Sequence, residues 1–180
     1  AVNEYVVDVI YDNNIIVEQN NDPQKINSKF IYEFEDNTYN KLLKITRIRD
    51  LQNTPYTYSE EIFNYDSNNN IIRYTRNVTN SINNPLSFYK SYELEYDDKI
   101  NPYKKGLFQN AHASSKIGKK NNYPIENLIF TSKNNIIKFK KTFAVNPQYN
   151  AETNREFIYD DNGYPIEQTV FYKGVETSKY

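Results

Sequence analysis

Apolar and polar side chains alternate with a period of two along most of this chain. Phe30, Tyr32 and Phe34 fall on one side and Ile31, Glu33 and Glu35 on the other. Tyr92, Leu94 and Tyr96 oppose Glu93 and Glu95, and Phe157 and Tyr159 alternate with Glu156 and Ile158. Successive side chains of a strand point to opposite faces, so this pattern predicts antiparallel strands with one face buried and one wet. Val2 to Tyr11, alternating and β-branched, reads as a further strand. No stretch longer than about ten residues keeps a 3,4 apolar spacing without Asn or Pro interrupting it, so no long helix is expected.

What separates the strands repeats. An aromatic residue, an acid, an Asn-rich turn and a short apolar stretch recur as Tyr11-Asp12-Asn13-Asn14-Ile15-Ile16 and as Phe34-Glu35-Asp36-Asn37 leading to Leu42-Leu43. They return as Tyr65-Asp66 through Ile71-Ile72, as Tyr96-Asp97-Asp98-Lys99-Ile100, and as Tyr159-Asp160-Asp161-Asn162-Gly163, with a weaker copy at Ser132 to Ile137. Phe34 and Tyr65 are 31 residues apart, Tyr65 and Tyr96 another 31, and Tyr96 and Tyr159 63, close to two periods. A fixed period in this range marks a repeat architecture. Asn and Gly tolerate left-handed backbone, and Asx side chains bond their own backbone, so each period reads as a β-hairpin. The expectation is an all-β fold over residues 1–180. It is one antiparallel up-and-down meander of about 10–12 strands, a strongly curved sheet or incomplete barrel with a Tyr-, Phe- and Ile-lined concave side. Residues 104–123, where alternation is lost, read as a long loop and a place to look for a site.

Composition adjusts this picture. A mean hydropathy of -0.87 would suit a disordered chain, but the net charge is only -1 and 16% of residues are aromatic. Disordered segments are aromatic-poor and strongly charged. Eighteen Tyr and ten Phe must supply much of the core, Tyr burying its ring while its hydroxyl reaches a polar partner. With 22 basic and 23 acidic residues there is no large field. Lys138 and Lys140 alternate with Ile137 and Phe139 as a solvated strand face, so nucleic acid is not an expected partner. The absence of Cys removes disulfides and thiolate chemistry.

Candidate chemistry is sparse. The Tyr-Asp pairs are best explained as turn formers, Asp accepting the turn amides. Asp97-Asp98 and Asp160-Asp161-Asn162-Gly163 lack the spacing of an EF-hand, so no metal or other cofactor is expected. His112 has no second His or Cys for a metal site, and Ser114 and Ser115 lie outside any nucleophile-elbow pattern. Glu93 and Glu95 share a strand face as solvated charges, without the apolar pocket a glycosidase acid needs. No catalytic residue is assigned. Exposed Tyr can stack on sugars or anchor a protein partner, which makes Tyr56, Tyr58 and Tyr172, with His112 of the long loop, the candidate binding residues.

The motifs Tyr96 to Tyr103, Ser132 to Ile136 and Phe157 to Pro165 resemble those of small Gram-negative envelope lipoproteins, a domain of unknown function with a porin-like fold. More loosely, Tyr159 to Gly163 is similar to the YD repeats of RHS-type proteins. The lipoprotein resemblance implies export, an acylated Cys upstream of Ala1, and tethering to the outer membrane, facing periplasm or cell surface. It implies no catalytic residues. The expected role is a non-enzymatic envelope module that binds or scaffolds a protein partner or glycan. The alternative is a carrier holding a lipid or small apolar ligand in the concave side. Outward charges at Glu93, Glu95, Lys138 and Lys140 are incompatible with a lipid-facing barrel wall.

Overall fold

A computed structural model of the chain describes residues 7–20, 28–51, 54–101 and 132–179. Eleven strands form one antiparallel sheet whose spatial order is the order in sequence. They are β1 (Val7–Asp12), β2 (Ile15–Asn20), β3 (Ser28–Phe34), β4 (Leu42–Leu51), β5 (Thr54–Tyr65), β6 (Ile71–Val78), β7 (Ser87–Ile100), β8 (Asn134–Phe143), β9 (Ala151–Tyr159), β10 (Pro165–Tyr172) and β11 (Val175–Lys179). The up-and-down meander and its strand number are therefore as the repeat predicts. Among the described residues no pairing joins β11 back to β1, and the only helical element is a single turn at Pro147–Tyr149. The long loop expected at 104–123, with His112, lies outside the described residues.

By its internal contacts the chain divides into two compact units, Ala1–Phe63 with Thr75–Lys90 and Asn64–Tyr74 with Ser91–Tyr180. In the first, Ile16, Phe34, Leu42, Ile45 and Phe63 are buried. In the second the buried apolar set is Ile71, Tyr74, Tyr92, Leu94 and Ile136. Tyr92 lies 5.2 Å from both the Tyr74 and the Phe139 ring, within the range of favourable edge and offset contacts. The alternation places these side chains. Tyr92 and Leu94 are buried, while Glu93 and Glu95 stand on the opposite, exposed face.

On that exposed face Lys138 reaches Glu95 (3.2 Å) and Glu152 (3.9 Å), and Lys140 reaches Glu93 (3.5 Å). Opposite charges on neighbouring strands keep this face in water and fix register, and each exposed pair adds little to stability. Glu93 and Glu95 are thus partners of lysines on a wet surface.

The turns explain the repeat. In Asp66–Asn70 the Asp66 carboxylate Oδ1 accepts the amides of Asn68 and Asn70, both at 2.8 Å. The Asp66 amide donates to the Asn70 carbonyl, and the Asn69 amide to the Asp66 carbonyl. Asp160–Tyr164 repeats every one of these bonds, with Asn162 and Tyr164 donating to Asp160 Oδ1 at 3.0 and 2.8 Å. The fourth residue of each turn is left-handed: Asn69 at φ 63° and Gly163 at φ 81°. That requirement is why Asn and Gly occupy the same place in the two copies. Asp36 caps Thr38 in the same way, and there Tyr39 takes the left-handed position at φ 56°. Among the described residues such a turn joins β3 to β4, β5 to β6 and β9 to β10, so a hairpin of two strands accounts for the period of 31 residues.

Candidate functional site

Two polar clusters stand out, and their chemistry differs. The first, in the second unit, laces the Tyr-Asp turns together through amides that the sequence marks only as a weak repeat. Asn70 is 1% exposed. Its Nδ2 donates to Asp66 Oδ2 (2.8 Å) and Asn134 Oδ1 (3.0 Å), and its Oδ1 accepts the Asn134 amide (3.2 Å). Asn134 Nδ2 in turn donates to the Lys99 carbonyl (2.9 Å). Asn135 donates its amide to Asp97 Oδ1 (3.1 Å) and its Nδ2 to Asp97 Oδ2 (3.3 Å). The Tyr159 hydroxyl also donates to Asp97 Oδ2, and the Lys99 amide to Asp97 Oδ1. Both Asp97 oxygens are thus engaged by protein donors. A carboxylate held this way braces a fold and has little capacity left for an external ligand.

The same cluster sets the behaviour of two phenols. The Tyr96 hydroxyl donates to the Ile71 carbonyl (2.8 Å) and accepts from Ser132 Oγ (3.0 Å). Burial raises its pKa far above the ordinary 10.0. At Tyr159 burial first, and then the bond to Asp97, push the phenol up in the same direction. In the unfolded chain both phenols lose their protons near pH 10 while the native ones keep them, so above that pH the unfolded state binds fewer protons. This stabilisation is complete below about pH 10 and declines as pH rises beyond it. Urea unfolding between pH 9 and pH 12, values set about the ordinary phenol pKa of ~10, should show Tyr96→Phe with a shallower alkaline loss than the parent. The difference approaches about 1.4 kcal/mol per pH unit. Equal slopes would show that Tyr96 titrates normally.

The second cluster lies on the buried face of the first unit. Alternation along β4 puts Ile45, Arg47 and Arg49 on one face. Their cross-strand partners are Tyr32, Phe30 and Ser28 on β3, and Glu61, Ser59 and Tyr56 on β5. Burial falls along this face. Phe34, Leu42, Ile45 and Phe63 are buried, whereas Phe30, Arg47, Arg49, Tyr56 and Tyr58 are half-buried. The apolar end is closed and the cationic end is accessible.

A β-bulge shapes the accessible end. Ile48 opposes Thr57 while Arg47 opposes Ser59, which leaves Tyr58 as the extra residue of β5. A bulge re-aims side chains locally. Here the Arg49 guanidinium carbon lies 3.5 Å from the centroid of the Tyr58 ring and that of Arg47 at 5.5 Å. Arg47 also sits 5.0 Å above the Phe30 ring. The Tyr58 carbonyl accepts the Thr79 amide (3.0 Å), which anchors the bulge. Arg76 lies 5.8 Å from the Tyr89 ring, and its Nε is 3.6 Å from Glu61 Oε1. The second acid on this face, Glu18, accepts the Tyr32 hydroxyl (2.9 Å). Three guanidinium groups therefore face two carboxylates. Among the described residues no carboxylate lies within ion-pair distance of Arg49.

Of the candidate binding residues, Tyr56 and Tyr58 belong to this cluster. Tyr172 lies in the second unit at the end of β10, 42% exposed, with the Lys173 Nζ 5.5 Å from its ring. No single unit gathers all three tyrosines, and His112 is outside the described residues. Sequence reasoning missed Arg47, Arg49 and Arg76. The signal was present: in Ile45-Thr46-Arg47-Ile48-Arg49 the arginines take the same alternate positions as the buried Ile45. Among the described residues no group of three or more His, Cys, Asp or Glu is placed to hold a metal ion.

Comparison with known proteins adds little. No family model matches the chain, and no curated protein matches it. Among solved structures it is similar to a porin-like protein from Bacteroides uniformis, with 12% identity and a TM-score of 0.41. The match covers 97% of this chain and 73% of that one. A likeness so slight assigns neither role nor location.

Proposed function

We propose that this chain is a non-enzymatic module of the bacterial cell envelope that binds or scaffolds a protein partner or glycan through the arginine–tyrosine face of β3–β5. The observation that carries the binding reading is the Arg49–Tyr58 stack beside Arg47 and Tyr56. It holds a guanidinium in a fixed, half-buried position, ready to meet a carboxylate or other planar anion. The envelope assignment, with attachment to the outer membrane, comes from the resemblance of the Tyr-Asp units to envelope lipoproteins. The ion-paired face formed by Glu93, Glu95, Lys138, Lys140 and Glu152 supports a water-facing sheet. A carrier of lipid or another apolar ligand is the weaker reading. In the first unit the accessible end of the buried face offers charges, and an apolar chain laid there would desolvate them without replacing their partners.

The test is co-purification of the chain from a native envelope fraction, joined to a glycan array. The expected result is a protein or glycan retained by the parent chain and lost with the Arg49→Gln/Tyr58→Ala pair. Retention of nothing by the parent, or of the same material by the variant, would reject this face as the binding surface.

A further inference from the structure

Resting on that reading, we infer that the ligand of the arginine–tyrosine face is a carboxylate-bearing glycan, a chain of uronic-acid-type sugars, with Tyr56 stacking a sugar ring and Arg49 receiving its carboxylate. Three features of the site converge on this class.

Arg49 and Tyr56 are directly opposed cross-strand partners, so their side chains leave the sheet side by side, with Cβ atoms about 5 Å apart. That spacing is about the width of one sugar ring. The two groups differ in what they have left to offer. The Tyr58 ring is covered by guanidinium, which fixes Arg49 in a plane suited to bidentate carboxylate recognition. The half-buried Tyr56 ring, by contrast, makes no ring contact or hydrogen bond with its side chain among the described residues, and the part of it left exposed is what a sugar would meet. A platform beside a fixed fork matches a ring that carries a carboxylate.

Charge complementarity gives the sign of the ligand. Glu61 lies beside Arg76, and Glu18 holds the Tyr32 hydroxyl, while Arg49 has no acid at ion-pair distance among the described residues. An anionic ligand supplies the missing partner. A neutral glycan would stack on Tyr56 and leave the guanidinium without one.

The position of the site favours a glycan over an acidic peptide. β4 and β5 are interior strands, paired on both sides. Their main-chain groups are used in the sheet, so this face presents side chains only. An extended peptide gains much of its affinity from main-chain bonds at an exposed sheet edge, which this place does not provide.

Isothermal titration calorimetry of the whole chain with polygalacturonate, with the neutral glucan pullulan and with poly-L-glutamate tests the inference. Saturable binding of polygalacturonate that weakens with salt, and at least tenfold weaker binding of the other two polymers, is expected. Arg49→Gln and Tyr56→Ala should each weaken polygalacturonate binding about tenfold to hundredfold, and Arg49→Lys should restore only part of it. Circular dichroism melts of the same variants separate lost binding from lost fold. Should Arg49→Gln fail to fold, the half-buried Tyr56→Ala carries the test by itself. Poly-L-glutamate binding as tightly as polygalacturonate would replace the glycan with an acidic peptide. Equal binding of pullulan would remove the role of charge, and no binding of polygalacturonate would overturn the inference outright. The broader binding reading would outlive any of these results if the envelope experiment still recovered a partner dependent on Arg49 and Tyr58.

Discussion

Replacing Tyr92 with alanine should cost about 3–5 kcal/mol of folding stability, the range for removing a large buried aromatic ring. Tyr92 is 2% exposed and packs between Tyr74 and Phe139 at 5.2 Å from each, so its removal leaves a cavity lined by both rings. Lys141, whose Nζ lies 5.4 Å from the Tyr92 ring centroid, would lose that face as well. Rigid strands on either side restrict collapse into the space, which places the loss toward the upper part of the range. Urea denaturation of the parent and of Tyr92→Ala reads the effect as a shift in midpoint at constant slope. A loss below about 1 kcal/mol would show that this ring is not part of a close-packed core.

The second large effect is expected at a polar residue. Asn70→Ala should destabilise the chain by about 2–4 kcal/mol, because two buried groups of Asn134 lose their partner at once. The Asn134 amide donates to Asn70 Oδ1, and the Asn134 side-chain oxygen accepts from Asn70 Nδ2. With both residues buried, water cannot easily replace those bonds. The isosteric Asn70→Asp distinguishes lost bonding from lost volume. At neutral pH it places a carboxylate against Asp66, which Asn70 now contacts at 2.8 Å, and it cannot donate to either oxygen. It should therefore be at least as damaging as alanine at neutral pH and should recover in part as the pH is lowered and one carboxyl takes up a proton. Thermal melts of the three proteins at pH 7 and at about pH 4.5, near the ordinary carboxyl range, measure this directly. An Asn70→Ala variant as stable as the parent would show that the lacing between turns contributes nothing to the fold.

These two sites also show what kind of information each level of description holds. Tyr92 was legible in the chain: its alternation with Glu93 and Glu95 assigned it to the buried face before any strand was placed. Asn70 was not. As one of three consecutive asparagines after Tyr65-Asp66-Ser67 it reads as generic turn chemistry. Only Asn134, 64 residues away in sequence, turns it into a buried structural residue. Ser132 to Ile137 likewise reads as a degenerate copy of the repeat. In the fold Asn134 bonds Asn70 of the Tyr65-Asp66 turn, and Asn135 bonds Asp97 of the next Tyr-Asp unit.

The candidate site follows the same division. Tyr56 and Tyr58 were nameable as tyrosines that a partner could use, from composition and position on a strand. Their different roles came from a bulge, and a bulge is a mismatch between two strands that neither strand encodes alone. It sets Tyr58 beneath Arg49 and leaves Tyr56 beside it.

The all-β class, the hairpin period, the meander order and the buried side of strands such as β3, β7 and β9 were written in local patterns of the chain. Those properties follow from local rules: period-two alternation, the left-handed fourth residue of each turn, and Asp capping its own turn amides. Only the tertiary contacts show which turn asparagines are buried, which phenols are drawn into the polar cluster, and that three arginines gather beside tyrosines on one face. Each of these depends on cross-strand register and on contacts between residues distant in the chain. Register is fixed by the summed packing of neighbouring strands, a quantity that no single segment contains.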